Sequence, residues 1–497
     1  MNAPRRTLLV RLVLTSALVG GAGLWLVPGS SSQAVDEPPL RPTPQARCDD
    51  GSRPETSIQG RVPSRDYASG RAARGYTCNT RTVSHTNGSG GFKVFRYVDH
   101  AGHVCAVYDS TLLFPTDLPY NVGREGLGTI VLDMSDPAHP RQTANLLTPA
   151  MESPHESLYL NQRRGLLAAV AGNLATAPGQ VDLYDLSGDC RQPVLLSSVP
   201  VAGLGHESGF APDGRTFYVS STSGQTLTAL DVTRPRTPQP ITTKTGVNYH
   251  GLRLSPDGRT MYVAEIGNAT PGGPTSVGGL AVLDVSSIQD REGTPTFRPV
   301  STLDWRQRSI PQAADPIVID GRRYLLEADE FANFTLGPDL VLEGGYQADA
   351  PVGASRLIDV HDRRRPRVVS NLRLAVHQLA NRDGPQQDDP GARSPAQGYA
   401  GHYCSVPRYR NPGIVACSMI ASGLRIFDVR DPRNPVEVGY YNQPTVPDAA
   451  DPAREGAYAM SAPAYDLKRR QVWYSDGNSG FYVVRLAKRI VPRHYWD

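Results

Sequence analysis

Eleven histidines occur in this 497-residue chain, and four of them, His155, His206, His250 and His402, stand where successive strand-like segments open. Two are followed at once by a carboxylate, as His155-Glu156 and His206-Glu207. Imidazole nitrogen and carboxylate oxygen together are a ligand set for a divalent metal ion. If the openings share one end of one channel, His155, His206, His250, His402, Glu156 and Glu207 can converge on a single ion. Further carboxylates at Glu265, Glu327, Asp329 and Asp476, with Asn478, fall just after the next strand and would approach the same end. The matching positions of two other segments carry no imidazole: Ala313, with Asp315 two residues on, and Ser461.

Other chemistries find little support. There is no G-x-S-x-G elbow for a serine nucleophile. The Gly-Gly pairs at 90–91, 272–273 and 344–345 do not follow a phosphate-loop pattern. No C-x-x-C zinc spacing occurs. No residue is therefore assigned as catalytic, and no organic cofactor site is read.

The elements that must position the histidines repeat along the chain. Six segments share a Gly, an apolar strand and a closing Asp: Asp133, Asp185, Asp231, Asp284, Asp359 and Asp428, spaced 46 to 75 residues apart. A seventh, Gly480 to Arg485, keeps the strand and loses the Asp. A polar turn follows, as in Asp136-Pro-Ala-His-Pro140 and Asp431-Pro-Arg-Asn-Pro435, and then another apolar strand. Asp and Pro fix such turns, because Pro presets φ and the Asp side chain binds local backbone donors. Upstream lies a hairpin, clearest at Ala211-Pro-Asp-Gly214 and Ser255-Pro-Asp-Gly258. Four strands per unit at this period is the spacing of propeller blades. Seven units predict an all-β, seven-bladed β-propeller of four-stranded antiparallel blades. The last unit lacks an outer strand after residue 486, so Tyr76 to Thr86 is expected to pair with it and close the ring. The longer intervals require insertions, read at 285–297, 381–398 and 443–455.

"GLRIFDVRDPRNPVEVGYY" (423–441) and "GTIVLDMSDPAHP" (128–140) resemble the LVIVD repeat of bacterial and archaeal surface proteins. "SPDGRTMYVAE" (255–265) resembles the related YVTN-type repeats. The resemblance spans roughly residues 90–486. It implies an exported or cell-surface propeller and names no reaction. A Gly-His before a strand, as at Gly205-His206, also resembles the blade-stapling histidine of WD-type propellers. In that role the imidazole bonds a turn Asp within its own blade.

Residues 1–34 read as an export signal: Arg5, Arg6 and Arg11 precede and interrupt an apolar run ending at Val27, and Ser32 with Ala34 suits cleavage. Residues 35–75 read as a Pro-rich linker and N-terminal extension, and 76–497 as the propeller. Six cysteines in an exported chain imply disulfides. Cys404–Cys417 fits across one hairpin, and Cys48 could meet Cys78 or Cys105. Of 51 basic residues three lie in the leader, so 48 face 48 acidic ones. A balance near zero gives no electrostatic reason for a nucleic-acid or membrane partner, and no membrane-spanning segment is expected after cleavage. Two functions follow as expectations. One is a secreted or surface binding module for an extracellular protein, glycan or small molecule. The other is a metal-dependent hydrolase or oxidoreductase using the histidine and carboxylate cluster.

Overall fold

A computed structural model describes residues 37–496, apart from 111–127, 172–178, 267–278, 331–351 (save two short strands there), 394–397, 447–455 and isolated positions elsewhere. The expected leader, 1–34, lies outside the described residues. Seven four-stranded antiparallel sheets form the ring: residues 94–146, 159–200, 207–245, 249–303, 310–372, 403–442, and 464–486 together with 80–86. They are called blades 1 to 7 in that order. Parallel bridges join neighbouring blades where their inner strands begin, Glu156 to Glu207 and Lys93 to Ala462, and a third joins Val318 to Arg410 beyond the inner strand of blade 6. All inner strands therefore run the same way along the channel, and their first residues gather at one mouth.

The repeated aspartates are turn residues. In six blades the Asp Oδ1 accepts the backbone N–H two positions on, at 2.7–3.0 Å, from Asp133 to Ser135 through Asp428 to Arg430. The blade then breaks register at a bulge between its third and fourth strands, for example at Val131/Leu132 and Ile426/Phe427. A bulge adds twist, which suits strands that fan outward from an axis. Apolar clusters lie between the blades; one joins Val94 and Ile130 of blade 1 to Trp473 and Phe481 of blade 7.

An N-terminal strand closes the ring, with one correction to its extent. Thr80–Thr86 pairs with Gly480–Leu486 as the outer strand of blade 7. Tyr76–Cys78 instead pairs with the outer strand of blade 6 as a fifth strand. Asn79 divides the two: its backbone is left-handed (φ 58°). Its side chain donates to the carbonyls of Arg47 and Val438, 2.9 and 2.7 Å away. Asn is among the few side-chain-bearing residues that adopt that conformation readily, and here its amide also ties the turn to two distant segments.

Residues 37–75 lie against blades 5 and 6. Glu55 and Glu437 flank Arg425, and all three side chains are fully buried. Arg61 meets Asp389 at 2.7 Å. Three disulfides form: Cys404–Cys417 across the first hairpin of blade 6, Cys48–Cys78, and Cys105–Cys190 between blades 1 and 2. Among the described residues no helix is long and apolar enough to cross a membrane.

Candidate metal centre

The inner strands bring four histidines to the channel mouth. His155 precedes the inner strand of blade 2 with φ 51°, a conformation uncommon for a side-chain-bearing residue and found often at functional sites. His206, His250 and His402 open blades 3, 4 and 6. The strands of blades 4 and 5 approach closely at Gly251, where a Cβ would lie 2.1 Å from the carbonyl oxygen of Gln312.

Glu156 is the meeting point. Its Oε2 lies 2.9 Å from Nε2 of His250 and 3.3 Å from Nε2 of His206. Its Oε1 lies 3.3 Å from Nε2 of His402 and accepts a bond from the Gln312 amide. Glu330 completes the cluster at 3.1 Å from His402 and 3.8 Å from His250. Donor atoms of His155, Glu156 and His206 lie within 4.8 Å of one another, as do those of Glu156, Glu330 and His402.

The far nitrogens fix how the rings present themselves. Nδ1 of His250 lies 2.8 Å from the carbonyl of Pro311, and Nδ1 of His402 lies 2.6 Å from that of Met460. A carbonyl only accepts, so each Nδ1 carries a proton and donates it. Nδ1 of His206 meets the Thr222 hydroxyl at 3.0 Å. Metal-bound histidines are oriented in this way, with one nitrogen tied to a backbone carbonyl and the other facing the ion. The inward Nε2 atoms of His250 and His402, and Oε2 of Glu156, are buried and make no aligned hydrogen bond. Their near neighbours are one another and Glu330, at 2.9–3.8 Å. The imidazoles of His250 and His402 bond the next blade rather than their own turn aspartates.

The two carboxylates draw positive charge to the cluster, which the imidazoles supply when protonated. Burial alone would raise the Glu156 carboxyl, but the facing His250, with His206 and His402, holds it well below the usual range. Burial would lower His250 and His402, yet the carboxylates of Glu156 and Glu330 push each up to about 9. Two carboxylates with neutral imidazoles balance one divalent ion. The cluster is closed on most sides, with His250 and His402 side chains 1% and 0% exposed, whereas His206 is 25% exposed and leaves one side approachable.

Five of the six expected ligands thus come together, and Glu207 does not. It is fully buried and is claimed by Lys93 and Arg253. Arg253 also holds Asp315 at 2.7 Å, and the Lys93 ammonium sits 3.8 Å over the Tyr403 ring. Glu327 and Asp329 are held by Arg356, with Trp305 donating to Asp329. Asp476 accepts from Gln443 and the backbone of Tyr458 and Asn478. Glu330, Gln312 and Lys93 escaped the sequence reading. A bulge between Pro311 and Ala313 shifts the register of blade 5, so Gln312 rather than Ala313 aims inward. A second trio, Asp99, His103 and Asp189, is tied into its own turn by backbone N–H bonds to Asp99.

No family model matches the chain, and no curated protein matches it. Many solved structures match the chain. Hydrazine synthase of Kuenenia stuttgartiensis aligns at 12% identity over 81% of this chain and 97% of that one, with a TM-score of 0.48. A putative 6-phosphogluconolactonase from Bacteroides uniformis aligns at 12% over 70% and 85%, with a TM-score of 0.45. Sqt1 of Saccharomyces cerevisiae aligns at 8% over 64% and 68%, with a TM-score of 0.39.

Proposed function

We propose that this propeller is an exported, metal-dependent protein that holds one divalent transition-metal ion at the channel mouth and uses it on a ligand arriving past His206. His206, His250 and His402, with Glu156 and Glu330, would hold the ion, and His155 flanks the approach. The observation that carries this reading is the convergence of the Nε2 atoms of His206, His250 and His402 on Glu156, with Glu330 beside them, in one largely closed cluster. Mixed nitrogen and oxygen donors with imidazole in the majority suit zinc, iron, copper or nickel better than calcium or magnesium. A site with one open side is the catalytic pattern, whereas a structural ion is enclosed by its ligands. When bound, such an ion supplies Lewis acidity toward an oxygen of water or substrate. The LVIVD-like repeats and three disulfides support an extracellular setting.

The test is elemental analysis of the mature chain, residues 35–497, purified from metal-replete medium beside a folded His250→Ala/His402→Ala variant. About one ion per chain, absent from the variant, is expected. A metal-free wild type that also fails to take up zinc, iron or copper would overturn the reading. The protein would then be a binding module acting through its loop-rich faces.

A further inference from the structure

At the end of the channel strands opposite the metal centre, a groove of about 530 Å³ opens between blades 4, 5 and 6. That size falls in the range of small-ligand sites. It arises because blades 5 and 6 depart from the repeat. The inner hairpin of blade 5 is long, with strands Ile310–Ile319 and Arg322–Glu330. The loop 406–413 of blade 6 leans on it, through the Val318 N–H to the Tyr409 carbonyl and the Asn411 N–H to the Val318 carbonyl. The equivalent hairpins of blades 3 and 4 are tight Pro-Asp-Gly turns, at 212–214 and 256–258.

The lining is basic and aromatic: Arg323, Arg363, Arg364 and Arg410 against Asp257 and Asp362, with the tyrosines Tyr262, Tyr324 and Tyr409. Several arginines beside turn aspartates are paired in this protein. Arg141 meets Asp133, Arg298 meets Asp284, Arg367 meets Asp359 and Arg430 meets Asp428. Arg363 reaches Asp284 at 3.4 Å. Arg323, Arg364 and Arg410 have no carboxylate partner among the described residues; Arg323 donates only to the His361 carbonyl, at 2.6 Å. The two aspartates are already engaged. Asp257 Oδ1 accepts from Ser255 and the Arg259 N–H, and Asp362 Oδ1 from the Arg364 N–H.

We infer that this groove binds a ligand bearing clustered phosphate groups, either a free oligophosphate or phosphates carried on a polymer. Guanidinium forks match phosphate oxygens two at a time, and three without a carboxylate partner line this groove beside Asp257 and Asp362. The site is separate from the metal centre and does not depend on it.

The test is calorimetric titration of the mature chain with tripolyphosphate and with long-chain polyphosphate at low ionic strength. Arg364→Ala/Arg410→Ala is the test variant. Arg141→Ala, an exposed paired arginine on blade 1, is the control. Saturable binding near one site per chain is expected, retained by the control and weakened at least about tenfold in the double variant. Binding of tripolyphosphate assigns a free anion; binding of the long chain alone, still lost in the double variant, assigns a polymer. No saturable binding of either, or binding unchanged in the double variant, overturns the inference.

Discussion

Metal uptake by the channel cluster should be coupled to the loss of two protons. In the metal-free chain His250 and His402 titrate near 9, held there against burial by Glu156 and Glu330, so both rings are cationic at neutral pH. Two imidazolium rings then face two carboxylates. An ion needs the Nε2 lone pairs, so one bound ion displaces two protons. Its apparent affinity should rise about 100-fold per pH unit below pH 9, flattening above it. Competition for zinc against a chelator of known proton linkage, at pH 6, 7 and 8, measures the slope. His250→Gln keeps an inward polar group but removes one titrating ring, and should halve the logarithmic slope. A slope near zero in the wild type, or an unchanged slope in the variant, would refute the reasoning from cluster geometry.

Four further outcomes follow from buried groups elsewhere. Arg425→Ala leaves Glu55 and Glu437 buried without their cation. It should cost ~3–5 kcal/mol and free the N-terminal segment to protease, read by melting and by limited digestion. Glu207→Gln strips Lys93 and Arg253 of their shared anion and should lower the melting temperature by a comparable ~3–5 kcal/mol equivalent; a shift within error would contradict the pairing. The Cys105–Cys190 bridge spans 85 residues, so replacing both cysteines by serine should cost up to ~4–5 kcal/mol in denaturant melts. His377 is held well below its usual 6.5 by burial, with Arg373, Arg425 and Arg382 adding repulsion. Its folded-state value is depressed, so the unfolded chain gains the proton first. Stability should therefore fall as pH drops below about 6.5, and His377→Asn should flatten that part of the pH–stability curve.

The ring was legible because its signals are local and repeated. Asp133 and its counterparts bind the backbone two residues on, a constraint written within three residues of sequence. The hairpin placing Cys404 opposite Cys417 is likewise local. Five cluster residues could be found because inner strands open in phase and share a direction. What escaped depends on contacts between distant segments. Glu330 reaches the cluster from a second strand, Gln312 through a one-residue bulge, and Lys93 from blade 1 to a carboxylate of blade 3. Glu207 looked like Glu156 in sequence because each follows a histidine. Only Lys93 and Arg253, 114 and 46 residues away along the chain, distinguish them. The docking of residues 37–75 depends on Arg425, equally remote in sequence.

A repeat copies its frame, so what differs between copies is informative. At the channel mouth the parallel bridges align Glu156 with Glu207 and Lys93 with Ala462, which sets His155 beside His206 and Phe92 beside Ser461. Imidazoles occur at this level in blades 2, 3, 4 and 6 and not in blades 1, 5 and 7. A purely structural histidine would serve each blade alike and bond within it. Here the Nδ1 of His250 bonds blade 5 and that of His402 bonds the segment leading into blade 7. Each ring thereby ties adjacent blades together with one nitrogen and commits the other to the axis. Filling the centre should then stiffen the ring as well as complete the site, since an ion bound to the folded form alone adds RT ln(1 + [M]/Kd) to stability. Zinc, iron or copper that binds the wild type should raise its melting temperature and leave the His250→Ala/His402→Ala variant unmoved. An ion that binds without shifting the melt would separate the occupied site from the frame and break this link between blade packing and ligand geometry.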